Sequence, residues 1–89
     1  MKLVLTIKVF NEESKKKYTF EKVYESMSIP RIGEKIKNPL FANDRKVIDI
    51  IYDFSCDVVH VILIDKIVSD NHLIQHFQEI TQMHNWTEK

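Results

Sequence analysis

Gly33 is the only glycine in a chain of 89 residues. An average chain of this size carries about six. It stands three residues after Pro30, one of two prolines, in Ile29-Pro30-Arg31-Ile32-Gly33-Glu34-Lys35-Ile36. Proline fixes its own φ and pushes the residue before it toward extended geometry. Glycine enters positive φ without a Cβ clash. Together they predict a sharp structural turn. A chain with one glycine also cannot build a glycine-rich phosphate loop or a dinucleotide fingerprint.

Strand-like segments lie on both sides of this turn. Leu3, Leu5, Ile7 and Val9 alternate with Lys2, Thr6 and Lys8, which predicts a first strand over 3–10. A polar turn follows, and 17–25 reads as a second strand with Tyr18, Phe20 and Lys22 on one side. The two should pair as an antiparallel hairpin. Val23 and Tyr24 are both bulky, which suggests a bulge there. Residues 34–37 make a short third strand, and Leu40 and Phe41 in the next loop are expected to plug an open barrel end. Residues 45–54 form a strand with Ile48, Ile50, Tyr52 and Phe54 on one face and Val47 and Ile51 on the other. The run 58–65 is nearly all apolar, which suggests cover on both faces. Ser69, Asp70 or Asn71 can cap a helix reaching about Asn85. Its apolar stripe is Leu73, Phe77, Ile80 and His84, and Trp86 should complete its contact with the sheet near strand 58–65.

The predicted architecture is mainly β with one helix (α+β). It is a small antiparallel five-stranded barrel or strongly curved sheet over 2–66, with a C-terminal helix over 69–86 packed on it. Residues 1–89 make a single domain. Apolar residues are 44% of the chain, enough for one core. No apolar run approaches the roughly 18 residues of a membrane helix, and the start is too polar for a signal peptide. The single Cys56 cannot form an internal disulfide, so a reducing cytoplasm is the expected compartment. Lysine outnumbers arginine eleven to two, and isoleucine occurs twelve times. That bias points to an AT-rich bacterial or phage genome.

The succession Ile-Pro-Arg-Ile-Gly-Glu-x-Ile, Val47-x-x-Ile50-x-Tyr52-Asp53 and Val59-x-Val61-x-Leu63 resembles short bacterial and phage proteins of unassigned function. In these a Pro-Arg-(Val/Ile)-Gly-(Glu/Asp) turn precedes the last strands of a barrel similar to Src-homology-3-like barrels. The resemblance covers roughly residues 2–65, leaves the helix outside, and implies a fold and no activity.

Several groups of residues could carry chemistry. His72, His76 and Glu79 stand at i, i+4 and i+7, one helix face, and are the candidate zinc ligands. A solvated polar face explains them as well, and neither a metal nor any other cofactor is expected. Cys56 and His60 on one strand lie roughly 13 Å apart, too far for a nucleophile–base pair. Asp49, Asp53, Asp57 and Asp65 read as solubilising charges on an apolar hairpin before they read as a carboxylate site. Lys15, Lys16, Lys17 and Lys22, interleaved with Tyr18, Phe20 and Tyr24, are the candidate nucleic-acid contacts. Formal charge is zero, but residues 1–46 hold eleven Lys or Arg against six Asp or Glu, and 47–89 hold two against seven. This makes a basic and an acidic face only if the two halves do not interleave.

With no catalytic set, the leading expectation is a non-enzymatic protein-interaction module, phage or mobile-element encoded, that binds another protein or itself as a homodimer through exposed strand edges. Nucleic-acid binding by the basic half is the alternative, and metal-dependent activity on the helix the third. No membrane partner is expected.

Overall fold

A computed structural model describes residues 2–25, 28–38 and 44–89. Leu40 and Phe41, the expected barrel plug, lie outside the described residues. The elements are β1 (Lys2–Asn11), β2 (Lys16–Glu25), β3 (Lys35–Ile36), β4 (Arg45–Asp53), β5 (Val58–Leu63), β6 (Lys66–Val68), α1 (Asn71–Met83) and β7 (Thr87–Glu88). The fold is mainly β, a curled half-barrel sheet with one C-terminal helix.

The sheet runs β3-β4-β5-β1-β2-β7, with β6 also on β1. Among the described residues it has seven strands where five were expected, and it is not wholly antiparallel. β1 is antiparallel to β2 but parallel to β5 and β6. The strands beyond the expected five are β6, which follows the apolar run, and β7, which follows the helix. From Thr6 to Val9, β1 advances three residues, while its neighbour advances four from Ile62 to Lys66. That added residue ends β5 at Leu63 and restarts the pairing as β6 at Lys66. The strands of the basic and acidic halves interleave across this order, so no global charge separation follows.

Leu3, Leu5, Ile7 and Val9 of β1, Phe20 of β2, Val47 of β4, Val59, Val61 and Leu63 of β5 and Val68 of β6 form the core with Ile74, Phe77 and Trp86. Tyr18 and Tyr24 pack against it, so the aromatics of β2 point inward. The β1–β2 register is continuous from Lys2↔Glu25 to Asn11↔Lys16, with no bulge at Val23. Val23 and Tyr24 are both large because they serve opposite faces. The irregularity falls in β4 instead, between Val47 and Asp49. It brings Val47, Ile50 and Tyr52 opposite the buried Leu63, Val61 and Val59. The expected grouping of Ile48 with Ile50, opposite Val47, is thereby corrected.

Asp70 caps α1, its carboxylate accepting from the Leu73 N–H at 2.9 Å. The helix buries Ile74, Phe77 and Thr81, with Ile80 partly covered. Leu73 stays largely exposed, so the stripe is rotated from the expected one. Phe77 meets Phe20 edge-on, with ring centroids 5.1 Å apart. The helix thus makes its ring contact with β2 and not with β5. Gly33 has φ +94°, and the Gly33 N–H and Glu34 carbonyl bond Val47 of β4, each at 2.8 Å. The Glu34 carboxylate also accepts from the Arg31 N–H. The Pro30–Gly33 segment is an architectural corner stitched to β4 near one edge of the sheet.

Candidate functional site: the uncovered sheet face

Because side chains alternate along strands, burying Leu3, Leu5, Ile7 and Phe20 sends Val4, Thr6, Lys8, Glu21 and Val23 to the opposite face. The registers assemble that face in rows. Ile51, His60, Val4 and Val23 lie side by side, and next to them Asp49, Ile62, Thr6 and Glu21. Asp53, Val58, Lys2 and Glu25 make a third row. The helix packs on the other side. β5 is therefore covered on one face, not two: Val59, Val61 and Leu63 are buried, while Val58, His60 and Ile62 are only half-buried.

A shallow groove of about 520 Å³ opens on this face. Thr6, Lys8, Thr19 and Glu21 line it from β1 and β2, and Ile51–Phe54, His60 and Ile62 from the β4–β5 hairpin. Ile51 and Tyr52 are each 50% exposed and Phe54 is 86% exposed. The Tyr52 and Phe54 rings stack 6.1 Å apart. Thr6 is only 4% exposed, yet its hydroxyl has no hydrogen-bond partner among the described residues. A buried hydroxyl left unpaired costs about 1–3 kcal/mol, and this one is part of the groove lining.

The β4–β5 turn sets the local electrostatics. The Asp53 carboxylate accepts from the Ser55 N–H at 3.0 Å and from the Ser55 hydroxyl. Hydrogen bonds from the Ser55 and Cys56 side chains, then the Ser55 backbone, hold its carboxyl below the usual aspartate value. The same contact pushes the Cys56 thiol up, because the thiol donates a hydrogen bond to the carboxylate, desolvation disfavours the thiolate, and the carboxylate repels it. A thiol held protonated is a poorer nucleophile than a thiolate. Asp57 closes the turn at φ +56°, a left-handed conformation that aspartate tolerates.

Other candidate residues are dispersed. His72, His76 and Glu79 are exposed on α1. Among the described residues, no three His, Cys, Asp or Glu side chains are grouped to hold a metal ion. Lys15, Lys16 and Lys17 sit at the exposed end of the β1–β2 hairpin. Lys22 is committed elsewhere: its ammonium donates to the His84 carbonyl at 2.8 Å and lies over the Tyr24 ring. Asp49 and Asp53 do share one face of β4, and Asp65 is exposed beyond β5. No helix is long and apolar enough to cross a membrane.

The groove was not legible in the sequence because its residues alternate with core residues on four strands. Comparison with protein-family models, characterised proteins and solved structures yields no match for this chain.

Proposed function

We propose that this chain is a non-enzymatic protein-interaction module whose binding surface is the uncovered sheet face. One observation carries the proposal. A groove on that face combines the exposed Ile51 with the buried Thr6, and the exposed Tyr52 and Phe54 of the same hairpin line its rim. Single exposed apolar residues are ordinary on protein surfaces; a contiguous patch rimmed by charge marks an interaction site. Lys8, Glu21 and Asp53 supply the charged surround. The partner is a protein surface that brings apolar side chains and one hydrogen-bonding group for Thr6. The likeness to small Src-homology-3-like barrels belongs to the same reading, since such barrels are compact scaffolds for display.

Nucleic-acid binding carries less weight, because the engagement of Lys22 leaves the hairpin-tip lysines as a short basic cluster. Metal-dependent activity has only the exposed helix residues behind it.

The test compares proteins retained from cell extract by the wild type, by Ile51→Lys on the groove and by Lys35→Ala on distant β3. A protein retained by the wild type and Lys35→Ala but lost from Ile51→Lys is the expected result. An identical set for all three overturns the proposal. Retardation of single-stranded RNA or DNA at low salt would favour the basic hairpin instead.

A further inference from the structure

We infer that the uncovered face is where two copies of this chain meet, related by a two-fold axis along β5. The inference rests on the interaction-module reading and names its partner. Most soluble homo-oligomers are closed and symmetric, with a self-complementary surface at the two-fold. The charge pattern of this face is self-complementary in one arrangement of its strands.

On the uncovered face β4 carries Asp49 and Asp53, and β1 carries Lys2 and Lys8. Between them β5 presents Val58, His60 and Ile62. A half-turn about an axis along β5, midway between two facing sheets, keeps β5 over β5. It lays β4 of each copy over β1 of the other. Because the axis follows the strands, every residue keeps its row. Asp53 then faces Lys2 of the other copy, and Ile51 covers Val4. Asp49 comes over Thr6 with Lys8 in the neighbouring row. The half-buried Ile62 and Val58 lose water at the centre.

Competing arrangements fail on charge. Moving the axis to between β5 and β1 lays β4 over β2, setting Asp53 against Glu25 and Asp49 against Glu21. Joining two β4 edges antiparallel about Ile51 sets Asp49 directly opposite Asp53, and like charges in that position destabilise a strand pair. The Ile50 N–H is moreover already bonded to the Asp49 carboxylate at 2.9 Å.

The test is the solution mass of the full chain by sedimentation equilibrium: wild type, Asp49→Lys, Lys8→Asp, and an equimolar mixture of the two variants. Both positions are exposed, and circular dichroism confirms that the variants remain folded. The wild type should have the mass of two chains. Each variant alone places like charges at both symmetric contacts and should dimerise about tenfold more weakly or worse. The mixture restores an opposite pair at each contact and should recover the dimer. A wild type monomeric up to about 1 mM, the weakest specific range, overturns the inference; the interaction module then stands or falls on the Ile51-dependent capture. A dimer indifferent to both substitutions, or a mixture that recovers nothing, also overturns it.

Discussion

The Asn11 side-chain amide donates to the Asn71 side-chain carbonyl at 2.8 Å, across sixty residues of sequence. Asn11 is fully buried at the end of β1, and Asn71 opens α1. The Asn11 carbonyls also hold the β1–β2 turn: the side-chain oxygen accepts from the Glu13 N–H at 3.0 Å and the backbone oxygen from Lys15 at 2.8 Å. Glu13 returns to the helix, its carboxylate accepting from the Asn71 N–H at 2.8 Å. A carboxylate at a helix N-terminus also meets the positive end of the helix dipole. Two asparagines and a glutamate thus lock the hairpin turn to the helix start.

Asn11→Ala should destabilise the fold by about 1–3 kcal/mol, since it strands buried polar groups. Asn71→Ala should cost a comparable amount, because it strands the side-chain amide of the fully buried Asn11. Urea unfolding measures both. A double-mutant cycle should give a coupling of at least roughly 0.5 kcal/mol, the usual range for residues in contact. Strictly additive effects would mean that the bond contributes nothing.

Phe77→Ala should be the most damaging single change on the helix. Phe77 is buried and meets Phe20, itself fully buried, edge-on. Large aromatic-to-alanine changes in cores cost about 3–5 kcal/mol. Leu73→Ala, at a largely exposed position, should cost well under half of that. Equal urea midpoints for the two variants would show that the helix is seated on its other stripe.

Gly33→Val should lower stability by about 1–2 kcal/mol, the cost of forcing a side chain into the left-handed region. No atom lies within 4 Å of the added Cβ, so the penalty comes from φ +94° and not from a clash. Gly33→Ala should therefore pay much of the same penalty. Thermal unfolding reads the difference as a fall of roughly 4–8 °C per kcal/mol for a domain of this size. An unchanged melting temperature for both would remove the turn's structural role.

Asp53 should titrate below the ordinary aspartate value of 3.8 in the folded chain. A depressed carboxyl contributes stability above its unfolded pKa. That contribution is lost as pH falls from about 4 through the lower folded value. Asp53→Asn should abolish this part of the acid dependence, as read by urea midpoints between pH 5 and 2. It should also bring the Cys56 thiol down toward its usual range and speed alkylation by iodoacetamide at pH 8. An alkylation rate unchanged by the substitution would break the proposed link.

Lys66 half-buries its ammonium on β6, where burial first and the neighbouring Arg45 second pull its pKa below the usual 10.5. A charge that is penalised in the folded state at neutral pH should be dispensable. Lys66→Met should raise the urea midpoint slightly, and a marked fall would reveal a favourable contact for this lysine.

The sequence by itself determined the local elements. Period-two alternation located β1, β2 and β4, the cluster Ser69-Asp70-Asn71 marked the helix start, and Pro30 with Gly33 marked the corner. These features depend on φ, ψ and side-chain direction within a few residues, so they are written in short windows. Tertiary structure decided the rest. The parallel pairing of β1 with β5 joins segments more than fifty residues apart, and no local pattern encodes such a partner. The displaced residue between Val47 and Asp49 changed which side of β4 is buried, because one added residue reverses every side chain beyond it. The break after Leu63 ended β5 short of the apolar run's end and let β6 pair with β1 one residue out of step. The uncovered face exists only once four strands align, since Thr6, Ile51, His60 and Ile62 are neighbours across the sheet and not along the chain.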